Sequence, residues 1–181
     1  ALDDAVRMSA DCLRAGGLVV FPTETVYGIA ALASAPGAID RLRELKSRPR
    51  APFSIHIPDA EQALRYVCDI PLDGRMLIRR AWPGPLTVLL DTGGAFADRH
   101  LSTVPGLYES LTHEGRVGLR CPDHAFAVRL LAAVDGPVVA PSANLAGARS
   151  PRDASDVSDE LAAGVDVLVD GGPARYGKDS T

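Results

Sequence analysis

The chain has 181 residues, 46% of them apolar, which is enough for a folded domain with its own core and excludes a disordered polymer. A formal net charge of -4 argues against a general nucleic-acid coat protein, which would be basic, and leaves room for a local basic cleft. Three isolated cysteines, Cys12, Cys68 and Cys121, lack metal-type spacing and fit a reducing compartment; with no long apolar run and no leader pattern, the chain reads as cytosolic.

In chain order, Asp3 or Asp4 predicts the cap of a helix running to about Ala15, with Val6, Cys12 and Leu13 apolar and Gly16-Gly17 as its stop. Leu18-Val19-Val20-Phe21 reads as a buried strand broken by Pro22, which cannot donate to a ladder. The polar turn Thr23–Gly28 would then stand at a strand end, where open α/β sheets place ligands. Pro36 opens a second helix with Ile39, Leu42 and Leu45 as its stripe, closed by Lys46-Ser47-Arg48-Pro49. Phe53–Ile57 alternates, predicting a half-buried strand with Ser54 and His56 on its polar face. Asp59 and Gln62 resemble a capping box for a helix to about Val67, and a further helix spans Pro71–Ala81.

Trp82-Pro83-Gly84-Pro85 is a rigid turn before a buried strand, Leu86–Leu90, and residues 91–115 read mostly as loop. Val117–Arg120 is a strand, Asp123 caps a helix to about Val134, and Pro137–Ala140 is a short strand delivering Pro141-Ser142-Ala143-Asn144. A helix near Asp156–Ala163 and a strand over Val165–Val169 precede a glycine-rich end. The alternation predicts a single α/β layered domain over 1–181, without repeats or a second domain boundary. No terminal element follows Asp179-Ser180-Thr181, which fits a C-terminally trimmed chain.

Phosphate-loop, dinucleotide and nucleophile-elbow signatures are absent, and His56, His100, His113 and His124 show no paired metal spacing. Cations and hydroxyls at element ends remain. Lys46, Arg48 and Arg50 serve either as partners of a helix C-terminus or as an anion clamp. Arg120 is either a carboxylate ligand or a surface charge. Ser142, Asn144, Ser150 and Ser180 are either turn residues or uncharged donors to phosphate. His56 is either a satisfied surface or edge histidine or, from its place on the polar face, one available to a ligand.

Taken together, Pro22–Gly28, Lys46–Pro49, Trp82–Thr87, Val117–His124, Pro141–Gly147, Asp170–Pro173 and Asp179–Thr181 resemble, in order, the motifs of the YrdC-like family of threonylcarbamoyl-adenylate synthases. The resemblance implies a twisted mixed sheet, parallel and antiparallel, flanked by helices around an open concave cleft. It implies synthesis of threonylcarbamoyl-AMP from L-threonine, bicarbonate and ATP with Mg2+, releasing pyrophosphate, with no permanently bound cofactor and no protein-held metal. The product would feed N6-threonylcarbamoylation of adenosine 37 in ANN-reading tRNAs through a downstream transferase complex, with weak tRNA or double-stranded RNA binding as a further expectation.

Position by position, the family's Lys-x-Arg and Ser-x-Asn pairs fall on Lys46, Arg48, Ser142 and Asn144, with Ser150 as another nucleotide contact. Lys46 and Arg48 are the expected charge stabilisers, and the threonine contacts are Thr25, His56, Arg120 and Ser180. The segment before His56 is one residue shorter than the family's, which leaves Arg50 without an assigned role, and the family's later strand and nucleotide-contacting arginine are not in this chain. Two alternatives stand beside this reading: a carbamoyl-adenylate-forming domain of a carbamoyltransferase, and a non-catalytic RNA-binding module.

Overall fold

A computed structural model describes residues 2–47 and 51–181, and its strands form one eight-stranded sheet. Helix α1 (Leu2–Arg14) carries Asp3 and Asp4 in its first turn, where carboxylates offset the helix dipole. Gly16 ends it at a φ of 82°, a conformation costly for any residue with a side chain. Strand β1 (Val19–Phe21) is buried throughout and stops before Pro22. The chain then turns and returns antiparallel as β2 (Gly28–Leu32), which the sequence reading did not anticipate. Its Gly-Ile-Ala-Ala-Leu sequence has one β-branched residue and no alternation, so pairing with its neighbours holds it extended.

Helix α2 (Ala38–Lys46) buries Ile39 and Leu42 and starts after Gly37 rather than at Pro36. After β3 (Ile55–His56), Asp59 accepts from the amides of Glu61 and Gln62, but the turn it caps, Ala60–Arg65, is a 3-10 helix. Helix α3 (Leu72–Ala81) spans the expected residues and leads to β4 (Val88–Asp91), in which Val88 and Leu90 are buried and Leu89 and Asp91 exposed. That strand is therefore half-buried, not fully buried. The expected loop 91–115 contains α4 (Arg99–Ser102), α5 (Leu107–Leu111) and β5 (Thr112–His113), elements too short to show periodicity. Strand β6 (Arg116–Arg120), helix α6 (Ala125–Val134) and strand β7 (Val138–Val139) follow. His124 is the N-cap of α6, while the expected cap, Asp123, pairs with Arg175. Asp156 closes a 3-10 turn (Ala154–Asp156), Ser158 caps α7 (Asp159–Ala163), and β8 (Val167–Leu168) is the last strand.

The strand order is β4-β6-β3-β7-β2-β1-β8, parallel at β3–β6 and β1–β8 and antiparallel elsewhere. Strand β5 also pairs with β6, at Val117 and Arg116, beyond the Leu119 and Arg120 positions that β3 takes. Strand β3 lies mid-sheet, buried on both sides, which corrects the expectation of a half-buried strand.

Cross-strand partners share a face, so the register sorts the side chains. One face holds Val20, Ile29, Ile55, Val139, Leu119 and Val88 in a core that includes Leu42 of α2. On the other, α1 and α6 cover Val19, Phe21, Ala30 and Val138. Full burial of Leu13, Phe21 and Leu130 there contributes roughly 1.5–3 kcal/mol each. That second face continues past Val138 to His56, Arg120, Gly118 and Leu89, which none of the residues of the α1–α6 core covers. Leu89 is 66% exposed as a result. No helix among the described residues is long and apolar enough to cross a membrane.

Candidate functional site

The half-face that α1 and α6 leave to loops borders a cleft of about 260 Å³. Ser54 just before β3, His56 of β3, Arg120 at the end of β6 and Thr87 before β4 line it, with the Thr23–Gly28 turn, Pro141-Ser142 after β7, and Asp179-Ser180. Backbone bonds fasten these segments together. The Ile29 amide donates to Pro141 O and the Ala143 amide to Tyr27 O, both at 2.8 Å. From the C-terminal stretch, the Tyr176 amide donates to Glu24 O at 2.9 Å, and Thr181 exchanges bonds with Pro85 and Thr87. Gly118 is needed beside the floor: a Cβ there would stand 2.7 Å from Ser54 Oγ.

Of the expected site residues, Thr25, His56, Arg120, Ser142 and Ser180 share this cleft. Arg120 is 4% exposed and does not act as a lone cation. Its Nη2 donates to Glu24 Oε1 and to Thr25 Oγ1, each at 2.8 Å, and its Nε reaches Gly84 O at 3.4 Å. Glu24 is 1% exposed, and its Oε2 is buried without a partner among the described residues. Thr23 Oγ1 lies 2.9 Å from Thr25 Oγ1 and donates to Val26 O at 2.7 Å.

Lys46 is buried beside the turn after β7 rather than lining the cleft. Its Nζ donates to Ser142 O at 2.8 Å, to Asn144 Oδ1 at 3.2 Å, and to Asn144 O. Ser142 Oγ donates to Asn144 Oδ1, and Asn144 Nδ2 to Ala148 O, both at 2.6 Å. The Lys-x-Arg and Ser-x-Asn residues thus meet through Lys46; Arg48, like Arg50, lies outside the described residues. Ser150 is absent from the lining but donates to Asp179, which is present. No group of three or more His, Cys, Asp or Glu side chains among the described residues could hold a metal ion.

His56 is neutral at physiological pH, since burial first and the Arg120 charge second pull its pKa from 6.5 to about 3, against a smaller opposing pull from the Ser54 backbone. Burial pushes the Cys121 thiol up to about 11, so it stays protonated. With a folded-state pKa below the unfolded one, His56 binds its extra proton only on unfolding. Its contribution to stability is complete above about pH 6.5 and is lost as the pH falls toward 3. The unfolding free energy from urea denaturation should therefore fall further between pH 7 and pH 4.5 for the wild type than for His56→Asn, by up to a few kcal/mol. Equal losses would show that His56 is not held neutral by the fold.

Sequence reasoning gave no site role to Glu24, Thr23, Ser54, Thr87 or Asp179, although it set the Thr23–Gly28 turn at a ligand-bearing strand end. Glu24 and Thr23 stood in the quoted turn motif, but only their contacts with Arg120 and Thr25 give them a place in the site.

Residues 11–181 match the family model Sua5_yciO_yrdC, described as "Telomere recombination". A Pyrococcus abyssi protein named threonylcarbamoyl-AMP synthase is 37% identical over 177 residues, covering 97% of this chain and 49% of its own length. A Mycobacterium tuberculosis protein named putative threonylcarbamoyl-AMP synthase is 35% identical over 171 residues, covering 93% of this chain and 73% of its own. The crystal structure of P. abyssi Sua5 complexed with L-threonine superposes with a TM-score of 0.84 at 37% identity, covering 97% of this chain and 49% of that one. The chain thus spans about half the length of its P. abyssi relative.

Proposed function

The chain belongs to the Sua5/YciO/YrdC family, and from that premise we propose that it makes threonylcarbamoyl-AMP from L-threonine, bicarbonate and ATP. The observation that carries this reading is the convergence of Thr25, His56, Arg120, Ser142 and Ser180 on one cleft, in a fold shared with a Sua5 solved with L-threonine.

In this mechanism the threonine amine loses a proton and adds to the carbon of bicarbonate, water leaves, and a carbamate forms. A carbamate oxygen then attacks the α-phosphorus of ATP, and the bond to the bridging oxygen breaks to release pyrophosphate. No side chain forms a covalent bond. The protein's task is to hold two anions together and to oppose the charge that develops on phosphoryl oxygens. Arg120 and Ser180 fix the threonine carboxylate, and Thr25 and His56 meet its amine or hydroxyl. His56, with a pKa of about 3, is too weak a base to keep the amine's proton at neutral pH, so that proton goes to solvent.

Lys46 and Arg48 supply positive charge beside the triphosphate, Lys46 through the turn it holds. Ser142 already gives its proton to Asn144, so its hydroxyl must rotate to donate to phosphate. Asn144 and Ser150 complete the nucleotide contacts. Mg2+ would enter with ATP as part of the substrate, as in other phosphoryl transfers, and would offset the charge of the triphosphate. The product would pass to a tRNA-modifying transferase in the cytoplasm.

With ATP and bicarbonate present, pyrophosphate release should depend on added L-threonine. Release without threonine, or phosphate release driven by carbamoyl phosphate, would replace this reading with the carbamoyltransferase alternative. Salt-sensitive RNA binding with no ATP consumption would favour a binding module.

A further inference from the structure

The cleft wall carries charge of both signs. Among the described residues that line it, Arg120 is the cation, His56 is neutral at physiological pH, and Asp179 is the carboxylate. Glu24 is not part of the lining, and its Oε1 is taken by Arg120. Asp179 is exposed, and its hydrogen-bond partner among the described residues is Ser150, whose Oγ donates to Oδ1 at 2.6 Å. An ionised carboxylate accepts at about four lone-pair positions, so one bond leaves most of its capacity for a ligand. The segment is fastened on both sides of Asp179, by the Tyr176 amide on Glu24 O and by the bonds of Thr181 with Pro85 and Thr87. Ser180, next in the chain, lines the same wall.

Free L-threonine at neutral pH is a zwitterion. Arg120 and Ser180 answer its carboxylate, but Thr25 and neutral His56 offer no negative charge to its ammonium. A wall with Arg120 alone would accept any small carboxylate; a wall with a cation and an anion favours a molecule that carries both. Resting on the threonine reading above, we infer that Asp179 is a substrate-binding residue: it accepts from the α-ammonium and so sets the preference of the site for an amino acid over a plain carboxylic acid. Ser150 is the positioning residue that holds the Asp179 carboxylate at the wall in the nucleotide-free chain. A ligand without the amine forfeits a hydrogen bond to a charged group and brings its own negative charge to Asp179, a loss of about tenfold or more in affinity.

Calorimetric titration without nucleotide, using L-threonine and (R)-3-hydroxybutanoate, which is L-threonine without its amine, tests the inference. The wild type should bind the amine-free acid about tenfold or more weakly. In Asp179→Asn, which keeps the size of the side chain and removes its charge, L-threonine should weaken about tenfold while the acid binds as before or tighter, so the preference collapses. Asp179→Glu keeps the charge on a side chain one carbon longer and should retain more of the preference than Asp179→Asn. Equal weakening of both ligands in Asp179→Asn would make Asp179 a prop for Ser180 and overturn the inference. So would a wild-type preference that survives in Asp179→Asn, or Asn and Glu variants that behave alike; each leaves threonine binding by the wild type intact. Failure of wild-type protein to bind L-threonine at all would instead sink the functional reading and this inference with it.

Discussion

Replacing Arg120 with methionine is expected to destabilise the fold by about 3–5 kcal/mol and to abolish measurable L-threonine binding. The cost follows from the company Arg120 keeps. Glu24 is 1% exposed, and Arg120 is the only cation that the described residues place against its carboxylate. Removing the guanidinium strands a buried charge, which costs far more than losing an exposed ion pair. The double variant Arg120→Met/Glu24→Gln removes both charges and should recover a large part of the loss in urea denaturation, although threonine binding stays absent. A double variant no more stable than the single one would mean that Glu24 does not depend on Arg120. Threonine affinity unchanged in either variant would remove Arg120 from the binding site.

Lys46→Met should lower threonine-dependent pyrophosphate release on the order of 10²-fold or more, the size expected when one preorganised charge donor is lost. In this structure the loss runs through the turn after β7. Without the ammonium, the half-buried carbonyls of Ser142 and Asn144 lose their donor, at about 1 kcal/mol each, while Asn144 Oδ1 keeps the Ser142 hydroxyl. The turn should loosen, weakening ATP more than L-threonine. Turnover at the wild-type level would show that neither the charge nor the turn it fastens matters to the reaction.

Helices α1 and α2 were legible because their signals are local: apolar spacing in both, and a stop at Gly16-Gly17 for the first and after Lys46 for the second. So was β1, whose apolar run ends at a proline. Strand β2 was not, since Gly28–Leu32 is extended by its neighbours more than by its own residues. Strand β4 misled in the other direction. Its Leu89 looks like core but faces the bare half of the sheet, and no one-dimensional pattern reveals which half goes uncovered. The site divides in the same way. Residue types and order pointed to Thr25, His56, Arg120, Ser142 and Ser180, which the fold gathers. The pairing of Arg120 with Glu24, and the burial of Lys46 against a turn 96 and 98 residues away along the chain, are tertiary facts with no local signature.

The half-face that α1 and α6 leave to loops has a mechanical consequence. Ser54, His56 and Arg120 are anchored in or beside strands at the middle of a sheet, so they can shift only if several ladders shift with them. Thr23–Tyr27, Ser142–Asn144 and Asp179-Ser180 belong to connecting segments that a few turn bonds restrain. Adjustment to a cargo must therefore come from the rim closing on a stiff bed, and occupancy should quiet amide exchange in those three segments while leaving the bed's slow amides as slow as before.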